Sequence, residues 1–426
     1  MSTPMAPDSS LLAQPPSVRL RHFKDFAVAH TMLVEAKDRL LEAITESAPN
    51  SLIIVSGPMG VGKTTLLAKI RQLLSISALA GETPDPAWLP VVTVEATPPE
   101  SNNFSWRSYF KRLLVEMKEP LVDCKRRLDP VDRTAQTMPT FPNDRGVTAD
   151  YHYAVEQALR YRRPRAVLID EAQHLFALSS GRRLEGQLNV LKSLANRSNT
   201  VHVLFGTYEL LRVRNLSGQL SRRSIDIHFP RYDVAKASDC RTFARILQTF
   251  GEQMPLPEPP DLAISWEYLY ERSIGCVGIL KDWLVRALST AIRQPAPTLT
   301  LKHLEKHALS VSQCDRLIEE AARGESQFCE DADALERLRL RLGFPARIHS
   351  TETPTAGRHR SPATTTGTTL PEKRCRRRRS TRCLLSNAIA SNDGTRRNRS
   401  APRRVCSTHS RLAGLVRHTS KASAAT

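Results

Sequence analysis

Aromatic residues are scarce in this 426-residue chain: Phe, Trp and Tyr together make up 6% of it. Its core must therefore be built mainly from aliphatic side chains. Eight cysteines lie at 124, 240, 276, 314, 329, 375, 383 and 406. None forms a CxxC pair, so zinc-ligand spacing is missing, and reduced thiols are expected. No opening stretch combines a basic start, an apolar run and a small-residue cleavage site, so no signal peptide is read. Long apolar runs are missing as well. Leu52–Val55 and Ala166–Ile169 are strand-sized, far below the ~20 residues of a membrane span. These absences predict a cytoplasmic protein without membrane contact.

Positive charge is abundant but confined. Residues 347–426 hold 18 Lys and Arg against 3 Asp and Glu, so they carry +15 of the formal +19. The rest of the chain is nearly balanced, and the pI of 10.0 says little about the folded body. Hydrophobic residues make up 40%, enough for a sizeable core and for two or three domains.

Residues 1–17 are rich in Pro, Ser and Ala and are expected to be unstructured. Met32, Leu33, Ala36, Leu40, Leu41 and Ile44 recur at helical spacing. Strands are predicted at Ser51–Ser56, Val91–Glu95, Ala166–Asp170, Val201–Phe205 and Ile225–Phe229. Helices are predicted between them at Lys63–Leu74, Phe104–Glu116, Ala149–Arg160 and Leu184–Ala195, with a polar loop over 129–149. Strands alternating with helices at these lengths indicate an α/β fold with a parallel sheet. From Ala235 to about Arg341 the patterns are helical only. Beyond Gly343 and Pro345 the composition turns to Ser, Thr, Arg and Pro and predicts disorder. The expected boundaries are 1–46 for an N-terminal extension with helices, 47–234 for the α/β core, 235–342 for a helical lid and C-terminal helices, and 343–426 for a disordered Arg-rich tail.

Gly57-Pro58-Met59-Gly60-Val61-Gly62-Lys63-Thr64 fits G-x-x-x-x-G-K-[ST] and lies between a strand and a helix, as a phosphate-binding loop requires. Glycines let backbone N–H groups turn around phosphate oxygens, and the helix N-terminus adds its positive dipole end. With Thr65, these residues are the candidate ATP contacts. Lys63 can reach the β- and γ-phosphates, and the Thr64 hydroxyl can ligate Mg²⁺. Val167-Leu168-Ile169-Asp170-Glu171 places acidic groups at a strand's carboxyl end, where open α/β sheets bind ligands. Asp170 is the second candidate Mg²⁺ ligand, and Glu171 the candidate base for an attacking water. Thr207, after Val201–Phe205, either senses the γ-phosphate or caps the following turn. His174 reads as a helix-start residue, and Trp88, Trp266 and Trp283 read as packing residues.

The phosphate loop, Asp170-Glu171-Ala172-Gln173, Phe205-Gly206-Thr207 and Ser273–Leu284 together resemble the TniB and TnsC transposition-regulator ATPases, over roughly residues 20–320. The resemblance implies an AAA+ P-loop NTPase with an αβα sandwich and a small all-helical lid. It also implies a homo-oligomer that assembles on double-stranded DNA in an ATP-dependent way. Such a protein recruits a separate transposase and answers to a target-selection adaptor protein. In the AAA+ layout Arg222, or its neighbour Arg223, would act as a finger on the next subunit's nucleotide. The usual lid arginine of a Gly-x-Arg turn is replaced, since Ile279 follows Gly278, and Lys281 or Arg286 is left to contact nucleotide. DNA phosphates would meet Arg107, Lys111 and Arg145. Nothing resembles a recombinase's acidic cluster. A secretion ATPase of the ExeA kind and a nucleotide-gated signalling scaffold with little turnover are the alternatives. The first expects a transmembrane helix and the second a long repeat array, and the sequence carries neither. The basic run at 373–379 is read as a phosphate-binding tail, a solvated polycation, or an out-of-frame extension.

Overall fold

The computed structural model describes residues 9–48, 51–79, 85, 87–99, 104–125, 144–177, 180–214, 224–328 and 332–344. All of them fall in one compact unit, Met1–Ala356. The chain opens with α1 (Ser9–Leu12), α2 (Pro16–Asp25) and α3 (Thr31–Glu46), followed by β1 (Leu52–Ser56), α4 (Lys63–Leu79), β2 (Val91–Glu95), α5 (Trp106–Glu116) and α6 (Asp144–Arg162). Then come β3 (Ala166–Asp170), α7 (Gly181–Ser198), β4 (Val201–Gly206), α8 (Leu211–Arg214) and β5 (Ser224–His228). A helical region closes the described chain: α9 (Ala237–Glu252), α10 (Trp266–Ser273), α11 (Val277–Arg293), α12 (Leu301–Glu305), α13 (Val311–Glu325) and α14 (Ala332–Arg341).

The five strands form one sheet in the order β2-β3-β4-β1-β5, with every pairing parallel. All five residues of β1 and all six of β4 are buried, as expected for inner strands covered on both faces. Side chains alternate between those faces. Leu52, Ile54, Val167, Ile169 and Leu204 join the core made with α5, α6 and α7. Ile53, Val55, Leu168, Val203 and Phe205 join the core made with α3 and α4. β2 and β5 lie at the edges and are less completely buried.

A third core holds the helical region, where Phe243, Phe250, Trp283 and Leu284 pack together. Phe23 of α2 belongs to this core, so α2 packs with the lid while α3 packs on the sheet. Trp283 is 1% exposed and its indole N–H donates to Leu304 O at 2.8 Å, in keeping with its reading as a packing residue.

Several expectations are corrected. The stretch 1–17 contains α1 and the start of α2, where Pro16 sits in the first helical turn, a position that its fixed φ and missing N–H suit. The loop expected up to residue 149 ends earlier, because α6 begins at Asp144. Val147, Tyr151, Val155 and Leu159 recur every fourth residue and pack on the sheet core, extending the helix toward its N-terminus. The tail beyond residue 344 lies outside the described residues.

His30, His202 and His228 are all pushed down to about 4, in each case chiefly by burial. The unfolded chain binds these protons near pH 6.5, so the stability they contribute is present above that value and lost as pH falls toward 4. The urea midpoint is expected to drop across this window. His202→Gln, with nothing to protonate, should show a shallower drop when both proteins are compared at pH 7 and pH 4.5.

Candidate functional site

The site lies at the carboxyl ends of β1, β3 and β4. After Ser56 the chain turns through Gly57–Gly62 and enters α4 at Lys63. Gly60 and Gly62 have φ of 71° and 113°, conformations that side chains resist and that turn successive amides into an anion-binding concavity. Gly57 is needed for another reason, since a Cβ there would collide with the Phe229 carbonyl oxygen. Met59 is exposed at the tip of the loop, Val61 is buried, and Pro58 is buried behind the tip.

Lys63 is 7% exposed, and its ammonium donates to Gly57 O at 3.0 Å and Pro58 O at 2.8 Å. Burial pulls its pKa below the ordinary lysine value, opposed first by Glu171 and then by Cys276, Asp170 and Glu320. The Thr64 hydroxyl donates to Asp170 Oδ2 at 3.0 Å, and the Glu171 N–H donates to Asp170 Oδ1 at 3.0 Å. Burial raises the Asp170 pKa, while these two hydrogen bonds oppose the shift. Thr64 and Asp170 thus supply two oxygens to one point, a donor set that suits a hard cation completed by phosphate and water. Thr65 points its exposed side of α4 outward.

Glu171 adopts a left-handed backbone, φ 49°. Its carboxylate accepts a hydrogen bond from the Gln173 side-chain amide. The carbonyl end of that amide accepts from the Thr207 N–H at 3.3 Å. Thr207 is 6% exposed and starts the turn Tyr208–Leu210, yet its side chain makes no capping bond to that turn. His174 lies in the short 3-10 helix Ala172–Leu175, beside the site's acidic strand end.

The lid meets the phosphate loop backbone to backbone. Ile279 N–H, in the first turn of α11, donates to Gly60 O at 3.1 Å. A Cβ on Gly278 would lie 2.4 Å from that oxygen. Lys281, one of the two lid candidates for a nucleotide contact, is turned to α2 instead. The Lys281 ammonium donates to Phe23 O and, at 2.7 Å, to Phe26 O, and it lies 4.0 Å from the Phe23 ring centroid. It closes the C-terminal end of α2, where orphan carbonyls favour a cation. Arg286 is exposed two turns further along α11.

Of the proposed DNA contacts, Arg107 is exposed in the first turn of α5. Lys111 is ion-paired with Asp123, which raises its pKa. Arg145 lies in the first turn of α6, not in a loop. Arg222 and Arg223 lie outside the described residues.

Sequence reasoning named Gln173 only within the resembling stretch Asp170-Glu171-Ala172-Gln173 and gave it no role. It missed the layer over Thr207. There Tyr208 OH meets His228 Nε2 at 2.8 Å, and Phe328 stacks on His228 with centroids 4.0 Å apart. Gly324 of α13 leaves room for the Tyr208 ring, and Arg231 pairs with Glu325 at 3.1 Å.

A parallel sheet of this order, a glycine loop leading into a helix from the inner strand β1, and a helical lid seated on that loop define the AAA+ P-loop fold. Residues 47–214 match the family model described as an AAA domain. The chain is similar to the solved structure of the Aeropyrum pernix ORC2 protein in ADPNP–ADP complexes, with 16% identity over 69% of this chain and 71% of that one and a TM-score of 0.45. Drosophila ORC bound to DNA is similar at 14% identity, 81% and 77% coverage, and a TM-score of 0.42. Domain III of the Thermotoga maritima replication initiation protein DnaA is similar at 15% identity, 70% and 95% coverage, and a TM-score of 0.36. These likenesses are too distant to assign an activity. No curated protein matches the sequence.

Gly278→Ala should force the lid off the phosphate loop. Overpacking of this kind costs about 1–3 kcal/mol, and the Ile279 amide is expected to lose hydrogen-exchange protection accordingly. Gly186→Ala on α7 has open space around it and should leave that protection intact.

Proposed function

We propose that this chain is an ATPase that assembles on duplex DNA and regulates a separate transposase. The observation that carries the ATPase reading is the convergence of Lys63, Thr64, Asp170, Glu171 and Thr207 at one edge of the sheet. ATP would be the substrate, its phosphates held by the loop amides of Gly57–Thr65. Lys63 would exchange the Gly57 and Pro58 carbonyls for the β- and γ-phosphates. Thr64 and Asp170 would hold Mg²⁺, which neutralises phosphate charge when bound. Glu171 would accept a proton from water as the water oxygen bonds to the γ-phosphorus. The bond from that phosphorus to the β–γ bridging oxygen breaks, giving ADP and inorganic phosphate.

The DNA and transposition reading rests on the TniB- and TnsC-like segments together with the basic groups. Arg107 is the best placed of these, and Arg145 and the Arg-rich tail add to it. Lys111 must first part from Asp123. Arg222 would complete a neighbour's site, which makes the working form a homo-oligomer in the cytoplasm. A target-selection adaptor protein would set where it assembles. The chain would divide into an N-terminal extension to 46, the ATPase core to 234, the lid and C-terminal helices to 342, and the tail. Among the described residues, no helix is long and apolar enough to cross a membrane.

Lys63→Ala should abolish binding of a fluorescent ATP analogue. Glu171→Gln should retain binding and lose about 10²–10⁴-fold in turnover. Sedimentation of the wild-type chain with duplex DNA should show larger species only with ATP and Mg²⁺. Identical profiles with and without nucleotide at low salt would remove the DNA-assembly reading while leaving the ATPase reading to the first two measurements.

A further inference from the structure

Glu171 holds an unusual position for a general base. Its backbone is left-handed, φ 49°, a conformation that a residue with a Cβ rarely adopts. Its carboxylate would be free to leave the phosphate side unless something held it. Gln173, 7% exposed, is the group that holds it. The amide is used at both ends: its NH₂ donates to Glu171 Oε2 and its oxygen accepts from the Thr207 N–H at 3.3 Å. A carboxylate only accepts and a backbone N–H only donates, so the amide has one orientation and cannot flip without losing both bonds.

Gly206 supplies an independent observation. A Cβ there would lie 2.4 Å from the Gln173 amide oxygen. The glycine before Thr207 therefore leaves the space that this amide fills. Glu171 is also the largest of the charges favouring protonated Lys63.

The geometry points to Gln173 as a positioning residue for hydrolysis, a splint that fixes the base Glu171 to the Thr207 strand end so that the two keep one geometry around the γ-phosphate. This assignment rests on the ATPase reading of the same site.

The test is steady-state phosphate release by the full chain at fixed Mg²⁺, paired with titration of a fluorescent ATP analogue. Misplacing a catalytic group by about 1 Å can cost 10²-fold, so Gln173→Leu is expected to lower kcat about 10–100-fold. KM and analogue affinity should stay within about twofold, the pattern of an interaction used only in the transition state. On a Glu171→Ala background, Gln173→Leu should add nothing, because it acts through that carboxylate. Gln173→Glu keeps the side chain's shape and the acceptor for Thr207, so it serves if the leucine variant does not fold. It removes the donor to Glu171, because a carboxylate only accepts. It should lower kcat with KM and analogue affinity unchanged, as the leucine variant does; a purely structural role would move analogue affinity as well.

The assignment is overturned if Gln173→Leu and Gln173→Glu turn over like wild type, if the loss appears in KM alone, or if it adds fully to Glu171→Ala. A wild-type chain that binds the analogue but releases no phosphate would sink the ATPase reading, and the assignment with it.

Discussion

The phosphate loop is gripped between two backbones that leave no room for side chains. On one side the Phe229 carbonyl sits where a Gly57 Cβ would be, and on the other the Gly60 carbonyl sits where a Gly278 Cβ would be. A backbone hydrogen bond from Ile279 closes the second approach. Packed interfaces of this kind switch between discrete arrangements and do not deform continuously. The Ile279 side chain also covers the loop, since a Cβ on Gly60 would lie 2.4 Å from its Cγ1. The lid in turn carries α2, through Phe23 in its core and Lys281 on the last carbonyls of that helix. His30 ties the start of α3 to the segment after β5, accepting from Tyr232 OH at 2.9 Å and capping the helix. N-terminal helix, lid and phosphate loop thus form one mechanical series.

The second organising feature is strand order. β1 lies beside β4 and β4 beside β3, with Ser56 opposite Gly206 and Ile169 opposite Leu204. Because all three strands run the same way, their exits meet at one edge. Lys63 and Thr64 come from the first exit, Asp170 and Glu171 from the second, and Thr207 from the third. The buried Lys63 ammonium donates to the Gly57 and Pro58 carbonyls, and Glu171, from a different strand, is the largest of the charges that oppose the pKa drop caused by its burial. Gln173 adds the remaining link, from the acidic strand end to the Thr207 turn.

Much of this was legible in the residue order. The five strands were found within a residue or so of their ends, because short apolar runs bounded by Gly, Pro and charge are strong strand signals. The glycine loop between β1 and α4 and the place of Asp170 at the end of β3 were legible because residue type and spacing along the chain are local signals. What failed was of another kind. The start of α6 was obscured by the proline-rich stretch before it, although Val147 continues the stripe of Tyr151, Val155 and Leu159. Lys281 stood beside Arg286 as a candidate nucleotide contact because charge type is visible in sequence, whereas direction is not.

The sequence by itself determined the α/β class and the glycine loop between β1 and α4, and it marked Thr64 and Asp170 as a pair, since each depends on local pattern or on chemistry carried by single residues. Only the tertiary structure decided that Gly278 and Ile279 meet the loop, that Lys281 serves α2, and that Gln173 joins Glu171 to Thr207. The physical reason is that these contacts depend on backbone approach and side-chain direction between segments brought together by folding. Gly60 and Ile279 are far apart in the chain, and no periodicity encodes a distance between them.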